Sequence, residues 1–380
     1  MPEKKRAYLY EVDFMRVFFI CGVLANHTTS AFTDLLPSQT VSRQFLLSTH
    51  LLLHFPRFGF MFITGLVLFW QHADKKLDIK SFLLKRFSIL LVPYLFWITL
   101  FSFLQTLASS NNFSFFNWLV QWWQIVIHGN KFYLYYLFVL FQLYLVFPLL
   151  LKLFEKTSGH HLQVLQISFV IQLLMTIYFK YFYGKISHSG WPYLIRAYGN
   201  FVLSYQFYFI AGAFCALHYQ YVKQFITKFS HWITFATLSL GVGTIGLYYF
   251  NTAILGLNRH HANLIHQPYI LFYASLVILQ TWLIGIWYAD KRRHSKSWNH
   301  WITNLAECSF GIYLVQLIPL TTIYLLIQYA KPTISFITLI VLLPLAYVGV
   351  LGISWALTNL LRKKVFLKSL IGRKEDLHYE

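Results

Sequence analysis

Ten long apolar runs dominate this 380-residue sequence, and each must either sit in a large protein core or cross a lipid bilayer. A spanning helix needs roughly 20 mostly apolar residues. The runs reach that length at approximately 12–33, 45–70, 87–108, 132–151, 162–183, 200–221, 231–250, 268–288, 304–329 and 333–361. Composition decides between core and bilayer. Charged residues are only 11% of the chain and apolar residues 57%, whereas an ordinary soluble domain is about a quarter charged. So little polar material cannot clothe a soluble fold of this length. The expectation is an all-α fold, a polytopic membrane helical bundle of about ten transmembrane helices, forming one domain over 1–380. The first run carries Asp13 and Arg16 and no small-residue cleavage site, so it is read as a retained span rather than a signal peptide. The stretch 113–128, with Trp118, Trp122 and Trp123, is shorter and is expected to lie along the interface.

The formal net charge of +19 would suit a nucleic-acid binder if it formed a stripe or a tail. Instead the basic residues fall in short segments between apolar runs, the pattern of topogenic charge. With the N-terminus cytoplasmic, the inner segments hold about 22 Lys and Arg, in groups around Lys4, Lys75, Lys152, Lys223, Lys291 and Arg362–Lys374. The outer segments hold only 6: Arg43, Lys131, Lys185, Arg196, Arg259 and Lys331. Both termini are therefore expected in the cytoplasm, and no nucleic-acid partner is expected. Cys21, Cys215 and Cys308 all lie inside apolar runs without ligand spacing, and His160-His161 stand without further ligands, so no disulfide or metal site is expected.

An ionisable residue at bilayer depth costs at least about 2.5 kcal/mol on insertion scales, so each one calls for an explanation. Asp13 and Arg16 are three apart on the first run and can pair near the inner surface. His27 follows Arg16 by eleven residues, about three helical turns and about 16 Å, on the same side of the helix. The second run carries His50, His54 and Arg57, spaced by four and three, as one stripe at a depth comparable with His27. Lys85 and Arg86 open the third run at its cytoplasmic end. Together these residues suggest a shared polar cavity suited to proton chemistry or an anionic substrate. The outer histidines His188, His260, His261 and His266 are expected to be solvated, and the tryptophans of 113–128 to form an interface belt.

The same residues resemble a known group, the acyltransferase-3 family of integral membrane O-acyltransferases. Arg16 and His27, with the acidic residue three before the Arg, match its Arg and His separated by ten residues. Arg57-Phe58-Gly59-Phe60-Met61-Phe62-Ile63-Thr64-Gly65 is similar to its second-span run, and Lys85-Arg86 leading to Pro93-Tyr94 to its basic entry into the third. Echoes follow in family order at Tyr133–Leu137, Phe209–Ala213 and Ser309–Gln316. Ile89 stands where relatives have a second Arg, Tyr133 and Tyr135 where they often have His-x-Trp, and Gln316 where they often have His.

The resemblance implies transfer of an acyl group, acetyl or succinyl, from cytoplasmic acyl-CoA to a hydroxyl of a cell-surface polysaccharide or its lipid-linked precursor. Within the family the chain is most similar to the poly-N-acetylglucosamine O-succinyltransferase or export branch, which implies the cell membrane of a Gram-positive bacterium. The implied catalytic residues are His27, Asp13 and Arg16. Arg16, Lys85 and Arg86 would bind the donor, and His54, Arg57 and Tyr136 the acceptor. His27 would act as general base or as transient acyl carrier. Acyl-CoA is implied as donor substrate, with no tightly bound cofactor and no metal. The implied partners are membrane lipid, the surface glycan and other glycan-assembly proteins. The rival reading is a polysaccharide exporter, flippase or proton-coupled transporter using the same cavity.

Overall fold

The computed structural model describes residues 6–109, 113–330 and 334–372, the side chains of Arg259, His260 and Val365 excepted. Lys4, Lys5, Lys331, Arg373 and Lys374, counted above for orientation, lie outside the described residues, as does position 333 of the last run. Among the described residues there is no strand. The chain opens with α1 (Tyr10–Leu35), α2 (Val41–His50), α3 (Pro56–His72) and α4 (Ile79–Ser109), then α5 (Phe115–His128), α6 (Tyr135–Lys156) and α7 (His161–Tyr181). A one-turn α8 (Tyr193–Arg196) precedes α9 (Gln206–Leu217), α10 (Tyr219–Lys228), α11 (Ser230–Tyr249) and a second one-turn helix, α12 (Arg259–Ala262). Last come α13 (Pro268–Lys291), α14 (Lys296–Val315), α15 (Leu317–Ala330), α16 (Phe336–Lys363) and α17 (Val365–Lys368). The residues group into two compact units of interleaved sequence. The first takes Met1–Asp74, His160–Ser187 and Tyr205–Trp355, the second Lys75–Gly159, His188–Ser204 and Ala356–Glu380.

By length and composition, 7 stretches of the described residues qualify as membrane spans: Val41–His72 across its internal break, α4, α6, α7, Ser230–Ile254, Pro268–His294 and α16. α14 and α15 add an eighth when taken as one span bent by 57°. Two expected spans fall short of the criterion. The 200–221 run yields only the short apolar helix Val202–Leu217, and α1, at 26 residues, is long enough but too polar.

The polarity of α1 has a packing explanation. α3, α13 and α14 all pack along it within the first unit, and Met15, Phe19, Ile20 and Leu24 are wholly enclosed. Glu11, Asp13, Asn26, His27 and Thr33 are buried with them. A helix walled by protein can carry polar groups, because its neighbours supply partners that lipid cannot. The converse holds for α16, the most apolar of the spans and the least buried by protein.

Two prolines break the apolar runs at defined points. Pro56 has no N–H to give the carbonyl four residues back, so α2 ends, Leu51–Leu53 form a single 3-10 turn, and α3 restarts with Pro56 at its N-terminus. The Tyr273 hydroxyl donates to the carbonyl of Leu52 at 3.2 Å, and the Asn26 amide to that of Leu53 at 3.1 Å. Pro319 likewise withholds a donor from Val315, the last residue of α14, and the chain bends there into α15.

α3 and α9 cross so closely that glycine is required on both. A Cβ on Gly65 would strike the carbonyl of Phe209, and one on Gly212 the carbonyl of Phe62. Main-chain atoms cannot swing aside as a side-chain tip can. Gly212→Ala should therefore destabilise the first unit by at least about 1–3 kcal/mol, read as a lower thermal midpoint in lipid or as loss of monodisperse protein. Gly246→Ala, with nothing near its Cβ position, should leave both unchanged.

Candidate active site

The first unit holds two polar groups at different points along α1. Near its N-terminus Arg16 lies 3.6 Å from Asp13, which is itself buried while the Arg16 side chain stays a third exposed. The Tyr8 hydroxyl donates to the same carboxylate oxygen at 2.9 Å. Asp13 is thus held from two sides and presents a fixed anchor to a guanidinium whose outer edge faces away from it. Two residues before Asp13, Glu11 accepts a hydrogen bond from Tyr219, and Gly285 of α13 lets the α1 backbone approach.

Eleven residues further along α1, His27 is buried against Gln316, with His27 Nδ1 and Gln316 Oε1 3.0 Å apart. The bend at Pro319 brings Gln316 to this position, between α14 and α15. Its orientation follows from its second contact. Gln316 Nε2 donates to the carbonyl of Tyr313 at 2.9 Å. A carbonyl can only accept, so the amide nitrogen faces Tyr313 and the amide oxygen faces His27. His27 must then donate from Nδ1, and in the neutral ring the lone pair falls on Nε2.

The 3-10 turn before Pro56 brings a second imidazole to the same place. His54 is buried, its Nδ1 is 3.1 Å from Asn26 Nδ2, and Asn26 directly precedes His27. His50 stacks edge-on against His54 with ring centroids 4.7 Å apart, and its Nε2 lies 3.3 Å from Ser30 Oγ. Arg57 stands within electrostatic range of His27, His54 and His266. Three of the expected site residues, His27, His54 and Arg57, are therefore neighbours in one unit, although the break at 51–53 replaces the continuous helix assumed for the stripe.

His266 departs from expectation. The segment between α11 and α13 turns inward instead of looping into solvent. Asn251, in a π-turn that ends α11, donates to the carbonyl of Ala262 at 3.0 Å, and Lys180 of α7 to that of His261 at 2.7 Å. Ala262, Leu264, His266 and Gln267 are buried as a result. His266 packs among Phe58, Tyr205 and Phe179. Burial, and secondarily the Arg57 charge, pushes it down to about 3, so it is neutral at physiological pH. His188, of the second unit, is likewise buried, against Trp191, and so also departs from the solvated expectation. His261 is tied to Asn258 by its own Nδ1 at 3.0 Å, and the side chain of His260 lies outside the described residues.

Lys85, Arg86 and Tyr136 belong to the second unit. There Lys85 is exposed, and the Arg86 guanidinium lies 5.6 Å and 5.7 Å from the ring centres of Phe82 and Tyr144, a cation–π arrangement. Tyr136 is half-buried in the first turn of α6, just after Phe132 and Tyr133, two non-glycine residues with φ of 57° and 61°. The indoles of Trp118 and Trp122 donate to Ser102 and Thr99, fastening α5 to α4, while Trp123 is exposed. Among the described residues no three His, Cys, Asp or Glu are grouped so as to hold a metal ion.

Asn26, Gln316 and His266 were not among the site residues expected from sequence. Asn26 and the prolines at 56 and 319 were signals available in it, since an amide beside His27 and a proline inside a span both demand partners.

The family model described as Acyltransferase domain matches residues 9–359. The chain is also 23% identical over 328 residues, 85% of its own length and 84% of the relative's, to YfiQ of Bacillus subtilis (strain 168), named as a membrane-bound acyltransferase. No solved structure matches the chain.

The Gln316 contact makes a prediction independent of activity. In 15N-histidine NMR of the protein in lipid, His27 should carry its proton on Nδ1 in the wild type and in Gln316→Glu, which keeps an acceptor. Gln316→Leu should lose that preference. A wild-type His27 protonated on Nε2 alone would contradict the assignment.

Proposed function

The chain belongs to this acyltransferase-domain family and is a multi-pass membrane acyltransferase, and we propose that it moves an acetyl or succinyl group from cytoplasmic acyl-CoA to a hydroxyl of a cell-surface polysaccharide or its lipid-linked precursor. The proposal includes ten spans, with α1 and α9 counted among them, and both termini in the cytoplasm of a Gram-positive cell. Poly-N-acetylglucosamine, the glycan of the branch that the sequence resembles, is the acceptor proposed first.

The observation that carries this reading is the His27–Gln316 hydrogen bond, because it leaves the lone pair of a buried imidazole on Nε2. A neutral imidazole so held is a general base for a sugar hydroxyl. The hydroxyl proton passes to Nε2 as the oxygen attacks the thioester carbonyl. The C–S bond then breaks, and the thiolate leaves with that proton. Gln316 Oε1 stabilises the imidazolium formed between the two steps, since Nδ1–H continues to donate to it.

Arg16 stands about 16 Å from His27 along α1, a separation that an extended thiol-bearing arm can bridge while its phosphates stay with the guanidinium. Asp13 orients Arg16 in this scheme. Lys85 and Arg86 supply further cationic contacts to the donor, and Arg57 and Tyr136 contact the acceptor.

The test uses purified protein in lipid, radiolabelled acetyl-CoA or succinyl-CoA, and a cell-wall glycan. Wild type should form a labelled, base-labile ester, and His27→Ala should lower kcat by about 10²–10⁴. Arg16→Ala should raise KM for the CoA donor by about tenfold or more with a smaller change in kcat. Glycan movement across the membrane without ester formation, undiminished in His27→Ala, would refute the assignment.

A further inference from the structure

The amide of Asn26 determines the protonation of His54 as surely as Gln316 determines that of His27, with the opposite result. Because Pro56 breaks the helix, the Leu53 carbonyl is offered to Asn26, and Asn26 Nδ2 donates to it at 3.1 Å. The same nitrogen lies 3.1 Å from His54 Nδ1. An amide nitrogen has two hydrogens and no accepting lone pair, so His54 Nδ1 must accept. A proton on that nitrogen is excluded, and the ring is neutral with its proton on Nε2.

His54 Nε2 is buried and has no hydrogen-bond partner among the described residues. A buried N–H left unpaired is costly, and each such group calls for an explanation, a catalytic role among them. His27 is within electrostatic range, as are Arg57 and His266. Two neighbouring imidazoles thus differ at the same atom. On His27 Nε2 carries a lone pair, and on His54 it carries a proton.

Resting on the acyl-transfer reading above, we propose that His54 is a catalytic residue whose Nε2–H donates a hydrogen bond to the carbonyl oxygen of the acyl donor. While His27 takes the hydroxyl proton and the new C–O bond forms, the carbonyl oxygen gains negative charge. His54 holds that charge by its hydrogen bond and keeps its own proton. The charge collapses back as the C–S bond breaks, and the thiolate leaves with the proton from His27. Fixed donors aimed at a developing oxyanion are among the largest contributors to acyl transfer. Asn26 acts through His54 and is a positioning residue.

The experiment pairs steady-state kinetics in lipid with 15N-histidine NMR on wild type, His54→Phe, His54→Gln and Asn26→Asp. His54→Phe should lower kcat about 10²–10³-fold, with KM for acyl-CoA within about threefold of wild type. His54→Gln, whose amide can offer an N–H near the same point, should recover part of the loss. Asn26→Asp replaces a donor with an acceptor and should move the His54 proton to Nδ1, with a kcat as low as that of His54→Phe. A His54→Phe kcat close to wild type, or a wild-type His54 protonated on Nδ1, would overturn the proposal while leaving acyl transfer itself standing. A wild-type protein that transfers no acyl group, with His54 still protonated on Nε2, would overturn the acyl-transfer reading and the role given to His54 along with it.

Discussion

Inside a bilayer a backbone carbonyl that loses its helical partner must find another donor in the protein, because lipid offers none. Pro56 and Pro319 each strip such a carbonyl, and the way the protein answers each loss builds the site. Tyr273 and Asn26 reach over to the carbonyls before Pro56, and the engagement of Asn26 holds His54 beside it. The bend before Pro319 delivers Gln316 to His27. Proton placement on two imidazoles therefore follows from two residues that cannot donate a backbone hydrogen bond.

The burial of α1 belongs to the same logic. Its carboxylates, amide, imidazole and hydroxyls could not face hydrocarbon at acceptable cost, and α3, α13 and α14 wall it in. Within that wall its charged and neutral polar groups separate. Asp13 and Arg16 stay near the N-terminal end, where the Arg16 side chain is a third exposed. His27 and His54 lie further from that end, each with one ring nitrogen committed to a neutral amide. An ion pair buried there would need far more compensation than the amides provide.

Much of this could be read in the sequence, for reasons that also explain what could not. Long apolar runs are local, and seven of the ten sit on helices that qualify as spans, with an eighth on the bent pair. α1 forms a helix over the expected run, but its composition falls short of a span's, and its polar residues are answered by neighbours distant in sequence. The Asp13–Arg16 pair also follows from spacing, whereas His50 and His54 meet across a 3-10 turn rather than on the continuous helix their spacing suggested. Gln316 is 289 residues from His27, and no periodicity connects the two. It was noticed only as a departure from relatives, and its contact depends on a bend. His266 was hidden for a different reason. A polar loop is normally solvated, and only the inward pull of Asn251 and Lys180 on backbone carbonyls reverses that expectation.

The crossing of α3 and α9 limits how this unit can move. Helices that meet through side chains can shear past one another, because rotamers adjust. Gly65 and Gly212 bring main chain against main chain, and that contact has no comparable slack. α3, with Arg57 at its beginning, is thereby keyed to α9 like two interlocked gears that have been pinned. Any breathing of this unit must therefore come from parts other than that crossing.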